Sequence, residues 1–251
     1  MHRWSTAKTD IGRKRPHNED SYLADDRLGL YVVADGVGGH AKGEVASAES
    51  VEQIHGWVKA EYQAITAFAL APTDEGLDGT RRLLESAVQQ ACYMVFSMAE
   101  LDPTRRGMST TISALLLVGE IGIIAQVGDS RVYRLREGEE VAQLTEDHTL
   151  VNYKLKHGLL TPEEAARAPG KNVITRAVGH RDYVEVDTIH VDALPGDRFL
   201  LCSDGLHGYL NDKEIGAFMS KEPKTAVTEL VDLANHRGGR DNITVVLVTL
   251  T

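Results

Sequence analysis

The chain is short of cysteine, of positive charge and of long apolar runs. Only two cysteines occur in 251 residues, Cys92 and Cys202. No C-x-x-C spacing is present, which excludes a thiolate zinc knuckle or a dithiol redox centre. Each cysteine lies in an apolar pattern, helical around Cys92 and strand-like around Cys202, as buried reduced thiols do. No apolar run approaches the roughly 18 residues of a membrane span. Met1 to Thr6 lacks the apolar core of a secretory signal. A cytoplasmic protein with no membrane segment is expected. Lysine and arginine total 27 against 37 acidic residues, a net charge of −10. That balance argues against a broad basic face, so no nucleic-acid partner is expected.

What is present suits an ordinary globular core: 42% hydrophobic and 25% charged residues. No repeat, low-complexity tract or linker divides the chain, so residues 1–251 read as one domain, expected to be a monomer. Apolar runs predict strands at Leu30–Ala34, Thr111–Val118, Ile121–Val127, Arg131–Arg136, Val184–Val191, Arg198–Cys202 and Ile243–Leu250. Apolar residues at three- and four-residue steps predict helices from Gly43 to about Tyr62, Thr80–Glu100, Asp212–Met219 and Pro223–His236. Ala71–Gly76 reads as a loop. Gly119-Glu120 and Gly128-Asp129-Ser130 read as turns that would make three successive strands an antiparallel meander. Two short helices, Leu150–His157 and one capped by Thr161-Pro162-Glu163-Glu164, interrupt the strands. They form a flap over about 147–172. The fold class is α+β, with antiparallel sheets and outer helices.

Short acidic clusters are the most informative local feature. Asp35 and Asp204 each end an apolar strand and precede a glycine. Asp241 opens the last strand, and Glu19-Asp20 follow Arg15 at four and five residues. One Asp-Gly after a strand is usually only a turn. Two of them at strand ends, with Glu19-Asp20 and Asp241-Asn242 besides, weaken the turn reading without removing it; the other reading has Asp35, Asp129, Asp204 and Asp241 converging at one edge of the sheets. Two like charges about 4 Å apart repel by roughly 4 kcal/mol at an effective dielectric of 20. Such a group needs a divalent cation or shared protons. All-oxygen donors favour Mg²⁺ or Mn²⁺ over zinc or copper. The Gly36 carbonyl is a further candidate ligand. Arg15 is suited to bidentate capture of a phosphate, although the run Arg13-Lys14-Arg15 reads equally as a solvated turn.

Arg15-x-x-Asn18-Glu19-Asp20, Ala34-Asp35-Gly36-x-Gly38-Gly39-His40, Gly107-x-Ser109-Thr110-Thr111, Val127-Gly128-Asp129-Ser130-Arg131, Thr145-x-Asp147-His148, Ile174-Thr175-Arg176-Ala177, Ser203-Asp204-Gly205-Leu206 and Asp241-Asn242-Ile243-Thr244 follow one another in this order. The ordered set resembles the protein phosphatase 2C (metal-dependent PPM) family in its compact bacterial form, over nearly the whole chain. The resemblance implies a four-layer αββα sandwich with two central antiparallel sheets. It implies a phosphoserine/phosphothreonine protein phosphatase in which a water or hydroxide bridging two metals attacks phosphorus directly. Asp35 would bridge two Mn²⁺ or Mg²⁺ ions, with the Gly36 carbonyl on the first. Asp204 and Asp241 would hold the second. Asp129, with Asp204, would hold a third, weaker ion. Glu19 and Asp20 would act through waters and hydrogen bonds, and Arg15 would bind the substrate phosphate. His40 is the candidate for protonating the leaving alkoxide or steering the substrate; the alternatives are a structural or surface His40 and a metal-bound water as the acid. The expected partners are phosphorylated proteins, substrates of or including a bacterial Ser/Thr kinase.

Asp147, His148, Thr175 and Asn242 read as structural. Ser109, Val37 and His207-Gly208 depart from the family pattern without removing a ligand. The flap offers no Asp between its ends, which leaves the third ion with fewer candidate ligands. Two other functions compete: a non-catalytic binding module on the same fold, and a hydrolase of small phosphate esters. The intact acidic set argues against the first, and peptide-versus-metabolite kinetics separate the second.

Overall fold

The structure is a computed structural model that describes residues 1–37, 42–170 and 172–251. Three strands come first, β1 (Arg3–Asp10), β2 (Asp20–Asp25) and β3 (Leu30–Val37). Three helices follow, α1 (Gly43–Ala60), α2 (Tyr62–Leu70) and α3 (Asp74–Leu101). Next come β4 (Ser109–Thr110), β5 (Ile112–Val118), β6 (Ile121–Val127), β7 (Arg131–Leu135) and β8 (Ala142–Gln143). The flap holds α4 (Leu150–Lys156) and α5 (Pro162–Arg167). The chain continues through β9 (Asp187–Asp192), β10 (Arg198–Cys202), α6 (Asp204–His207), α7 (Asp212–Met219), α8 (Pro223–His236) and β11 (Ile243–Leu250).

The strands form two antiparallel sheets. One runs β1-β11-β10-β7-β8, and the other β2-β3-β5-β6-β9, with β4 added to β3. Side-chain alternation decides which face meets what. Along β3, Tyr31 and Val33 pack between the sheets with Phe199, Leu201, Val246 and Val248. Their neighbours Leu30, Val32 and Ala34 face Ile54 and Val58 of α1 and Leu84 and Val88 of α3. In the other sheet Leu200, Cys202, Val245 and Leu247 face Leu230 and Val231 of α8. Strands apolar on both faces read as continuous hydrophobic runs, which is why they were legible. The result is the expected four-layer αββα sandwich.

Several elements differ from the sequence reading. β1 and β2 are edge strands with mixed, partly exposed residues, so they carry no apolar run. The loop expected at Ala71–Gly76 ends early, because the Thr73 hydroxyl accepts the Gly76 N–H at 3.0 Å and starts α3 at Asp74. Tyr62–Leu70, given no element before, is helical. The meander holds only for β5 and β6. β7 pairs with β10 in the opposite sheet, so Gly128-Asp129-Ser130 is a crossover between sheets and not a hairpin turn. The strand expected at Val184–Val191 starts three residues later. The flap is capped as expected, with Thr161 and Glu164 exchanging side-chain to backbone bonds.

Asp197 is the buried polar anchor of the turn before β10. It is 1% exposed and accepts two Arg136 bonds at 2.7 Å and the Leu194 N–H at 2.9 Å. Burial alone would raise this carboxyl, but the Arg136 fork and the Leu194 amide outweigh it and hold it below the usual range. A depressed folded pKa contributes stability above the unfolded value, near pH 4, that is lost as pH falls through the folded value. Asp197→Ala is therefore expected to cost about 2 kcal/mol in urea unfolding at pH 7. The gap between the two proteins should narrow steadily below about pH 4.

Candidate active site

The β2–β3 register sets Asp20 directly opposite Asp35. Asp204 begins α6 with only Ser203 between it and β10, Asp241 lies two residues before β11, and Asp129 sits in the crossover from β6 to β7. Strand ends from both sheets thus meet at one edge. A cleft of about 440 Å³ there is lined by Asp35, Asp129, Asp204 and Asp241, with Arg15, Glu19 and Gly36. Of the larger clefts, those between α2 and α3 and beside α7 carry none of the four aspartates, while one beside the flap shares Asp129, Asp204 and Asp241.

Two glycines allow this approach. A Cβ on Gly36 would fall 2.4 Å from the Gly43 carbonyl oxygen and 2.5 Å from that of Glu19. One on Gly205 would fall 1.9 Å from the Asn242 carbonyl oxygen. Any larger residue at either place would push apart the segments that carry the carboxylates.

The backbone of Asp35 is fixed from the β4–β5 side. Its carbonyl accepts the Thr110 hydroxyl at 2.8 Å and the Thr111 N–H at 2.9 Å, and its own N–H donates to the Thr111 hydroxyl at 3.1 Å. Thr111 in turn bonds Ser130, next to Asp129, at 2.7 Å. Asn242 anchors the loop that carries Arg15. Its amide donates to the Ile11 and His17 carbonyls at 3.0 and 2.9 Å, and its oxygen accepts the Glu19 N–H at 2.8 Å. The Asp129 turn is clamped from the flap side. The Gly128 N–H donates to His148 Nδ1 at 3.1 Å, and Arg131 forks onto Asp147 at 2.8 and 2.7 Å. Asp147, His148 and Asn242 therefore make scaffold contacts of the kind read from the sequence. His207, a departure from the family pattern, bonds the Asp129 carbonyl through Nε2 at 2.9 Å. Burial and then Arg131 bring its pKa down to about 4, so it is neutral and donates. The Thr110–Thr111 and Ser203 roles were missed. These residues lay in recognised motifs, but their task is to hold backbone and carboxylate, which no spacing reveals.

The electrostatics of the cleft are unfavourable for the protein by itself. Burial, then Asp20, Asp204, Asp129 and Asp241, raise Asp35 well above the carboxylate range. Burial and Asp204 raise Asp129 to about 7. Burial and Asp241 raise Asp204 to about 6, and Asp204 lies within hydrogen-bonding reach of Asp35. Burial also raises Asp20 to about 7, against the Thr244 and Ser203 hydrogen bonds. Asp20 Oδ2 accepts the Ser203 hydroxyl at 2.8 Å, while its buried Oδ1 has no hydrogen-bond partner among the described residues. Among the described residues no three His, Cys, Asp or Glu side chains close on one point as a finished metal centre. The carboxylates instead form the walls of the cleft, with an unsatisfied buried oxygen behind them. An all-oxygen, repelling donor set of this kind fits a hard divalent cation.

Arg15 stands at the mouth of the cleft, 2.7 Å from Asp241 and 3.7 Å from Glu19. The Asp241 hydrogen bond raises its pKa, so the guanidinium stays charged. His40 lies outside the described residues. Cys202 is fully buried, with its thiol pushed up to about 12, and Cys92 is buried and raised as well. Neither is a nucleophile at neutral pH.

Comparison with known proteins gives the chain its family. The sequence profile of the protein phosphatase 2C family matches residues 12–244. Protein phosphatase PhpP of Streptococcus pneumoniae is 38% identical over 252 residues, covering 96% of this chain and 95% of that protein. Serine/threonine protein phosphatase PstP of Mycobacterium tuberculosis is 39% identical over 245 residues, covering 96% of this chain but 44% of that protein. The crystal structure of the M. tuberculosis phosphatase PstP/Ppp superposes with a TM-score of 0.87 at 35% identity, covering 100% of this chain and 99% of that one. A PstP catalytic domain in complex with two manganese ions gives 0.84 at 34% identity, with the same coverage. The chain belongs to the protein phosphatase 2C family. Its class of activity is that of a metal-dependent serine/threonine protein phosphatase.

Relief of charge repulsion is measurable without turnover. Asp35→Asn is expected to raise the unfolding midpoint of the metal-free protein by about 2–4 °C. The same substitution should remove most of the further rise that Mn²⁺ causes in the wild type. Thermal scans with Mn²⁺ and with EDTA at pH 8 test this, and a wild-type midpoint indifferent to Mn²⁺ would count against a cation site.

Proposed function

We propose that Asp35, Asp204 and Asp241, with the Gly36 carbonyl, hold two Mn²⁺ or Mg²⁺ ions in this cleft. Asp129, with Asp204, takes a third and weaker one. The observation that carries the reading is the meeting of four aspartates from both sheets in one cleft, where burial and mutual repulsion raise Asp35, Asp129 and Asp204. When bound, the cations neutralise these carboxylates and supply the Lewis acidity that activates water for in-line attack on phosphorus.

The remaining tasks fall to the chain. Arg15 presents two guanidinium nitrogens at the cleft mouth, and a phosphate dianion competes with Asp241 and Glu19 for them. It binds and orients the phosphate and stabilises charge on its equatorial oxygens. Glu19 and Asp20 hold water and protons at the back of the cleft. The Asp20 Oδ1, without a partner among the described residues, accepts such a water. His40 protonates the departing serine or threonine alkoxide. Both thiols are buried and raised, which supports direct hydrolysis over a cysteinyl-phosphate route. Residues 1–251 act as one catalytic domain. The substrates are phosphoproteins made by a bacterial Ser/Thr kinase in the cytoplasm, a setting consistent with the absence, among the described residues, of any helix able to cross a membrane.

Phosphate release from a phosphothreonine peptide tests the assignment. Activity should need Mn²⁺ or Mg²⁺ and stop in EDTA. Asp35→Ala and Asp204→Ala should each lower kcat/KM by at least about 100-fold, and Arg15→Ala by about 10- to 100-fold, mainly through phosphate binding. Undiminished turnover in EDTA, or in both aspartate variants, would end the metal reading. Asp129→Ala should raise the Mn²⁺ concentration needed while the metal-free unfolding midpoint stays within a few degrees of the wild type. A collapse of that midpoint would make Asp129 a structural turn residue.

A further inference from the structure

A second cleft, of about 580 Å³, opens beside the carboxylate cleft, between the flap and α6. The two share Asp129, Asn172, Asp204 and Asp241 in their walls, so one leads into the other. Its flap wall mixes apolar Val151, Leu155 and Ala165 with polar Asp147, Thr149, Asn152 and Asn172. Its opposite wall carries Tyr209 and Arg240. A chain whose phosphorylated residue enters the first cleft has to lay its neighbours along some adjoining surface, and this one is already formed.

Three arginines line the two clefts, and their commitments differ. Arg131 is spent on Asp147 through two bonds. Arg15 is held by Asp241 and Glu19. Arg240 is exposed, and among the described residues its guanidinium forms no ion pair or hydrogen bond. Its backbone is nevertheless held in place. The Arg240 N–H donates to the Tyr209 hydroxyl at 2.9 Å, and the Tyr209 carbonyl accepts from Arg237 at 2.7 Å. The preceding Gly239 carbonyl accepts the Arg13 N–H at 2.6 Å, and its N–H donates to Ala234 at 3.1 Å. Arg240 is thus an uncommitted cation on a pinned backbone beside the phosphate cleft.

We propose that this cleft receives the residues next to the phosphorylated one, and that Arg240 selects substrates with an acidic group close to the scissile phosphate. The group is a carboxylate side chain or a second phosphate. The proposal rests on the phosphatase reading of the carboxylate cleft and adds the substrate class to it. The flap wall, through Val151 and Leu155, takes the apolar part of the same segment. Arg240 acts on binding and not on the chemical step, because it stands one residue outside the carboxylate set.

The test compares p-nitrophenyl phosphate with three phosphothreonine peptides of one length. One is neutral, one has Glu within three residues on both sides, and one has a second phosphate there. The wild type should prefer the Glu peptide to the neutral one about 5-fold in kcat/KM, through KM, and the doubly phosphorylated peptide about 10-fold. Arg240→Ala should erase both preferences, Arg240→Lys should keep part of them, and Arg240→Glu should reverse them. Kinetics on p-nitrophenyl phosphate should stay within about twofold, and added salt should weaken the wild-type preference. A preference for only one acidic peptide identifies the recognised group as carboxylate or phosphate. Absence of any preference in the wild type, or its survival in Arg240→Ala, overturns the proposal. So does an equal loss on all four substrates, which would make Arg240 a support for Asp241. Binding of the same peptides with a non-hydrolysable phosphonate in place of the phosphate, read by fluorescence anisotropy, decides the matter separately. A protein that hydrolyses nothing would sink the phosphatase reading, while the anisotropy preference and its loss in Arg240→Ala would still decide for or against Arg240.

Discussion

Repulsion among carboxylates that the fold forces together governs this structure. Asp20 and Asp35 are opposite one another in a strand pair, so neither can withdraw without breaking register. Asp204 is fixed by the start of α6 and Asp241 by its place beside β11. A surface cluster would relax by rotating side chains into water. Here burial removes that escape, and Asp35, Asp129 and Asp204 hold protons at pH values where exposed aspartates have lost them. The cost is offset by the apolar core beside it, since β3, which carries Asp35, and β10, which leads to Asp204, are covered on both faces. Stability is thus spent at one sheet edge to create a strong, preorganised demand for positive charge.

Small residues and hydroxyls make that crowding possible. Gly36 and Gly205 let backbone meet backbone at distances no side chain permits. Thr110, Thr111 and Ser203 satisfy polar groups that burial would otherwise leave open. The crossover from β6 to β7 carries Asp129 from one sheet to the other, so this carboxylate belongs to the seam and not to a single strand. Arg131, His148 and His207 hold that seam from three sides.

Much of this was visible in the residues alone, for a physical reason. A strand buried on both faces is an unbroken apolar run, and its abrupt end at Asp-Gly announces both the strand and a carboxylate at its tip. That is how Asp35 and Asp204 could be found. β1 and β2 left no such trace because half-exposed edge strands mix polar and apolar residues. The turn at Asp129 was misread because a crossover and a hairpin use the same short Gly-Asp-Ser chemistry. Only the partner of β7, more than 60 residues away in β10, distinguishes them. Arg15 was found through its motif, but its engagement with Asp241 was not, since the two are 226 residues apart.

That last separation governs how the protein is made. The strand at the front of the sequence pairs along its whole length with the strand at the back, Arg3 against Leu250 through Asp10 against Ile243. The cleft draws its walls from residue 15 through residue 241. Contacts so distant in sequence are slow to form, because the intervening chain must be ordered before they are rewarded. During synthesis the helices α1 and α3 and the hairpin of β5 and β6 have local partners, but the cleft has no third wall until Asp241 has been translated. The cleft is therefore assembled only after the segment that carries Asp241 has been made and has joined the segments before it.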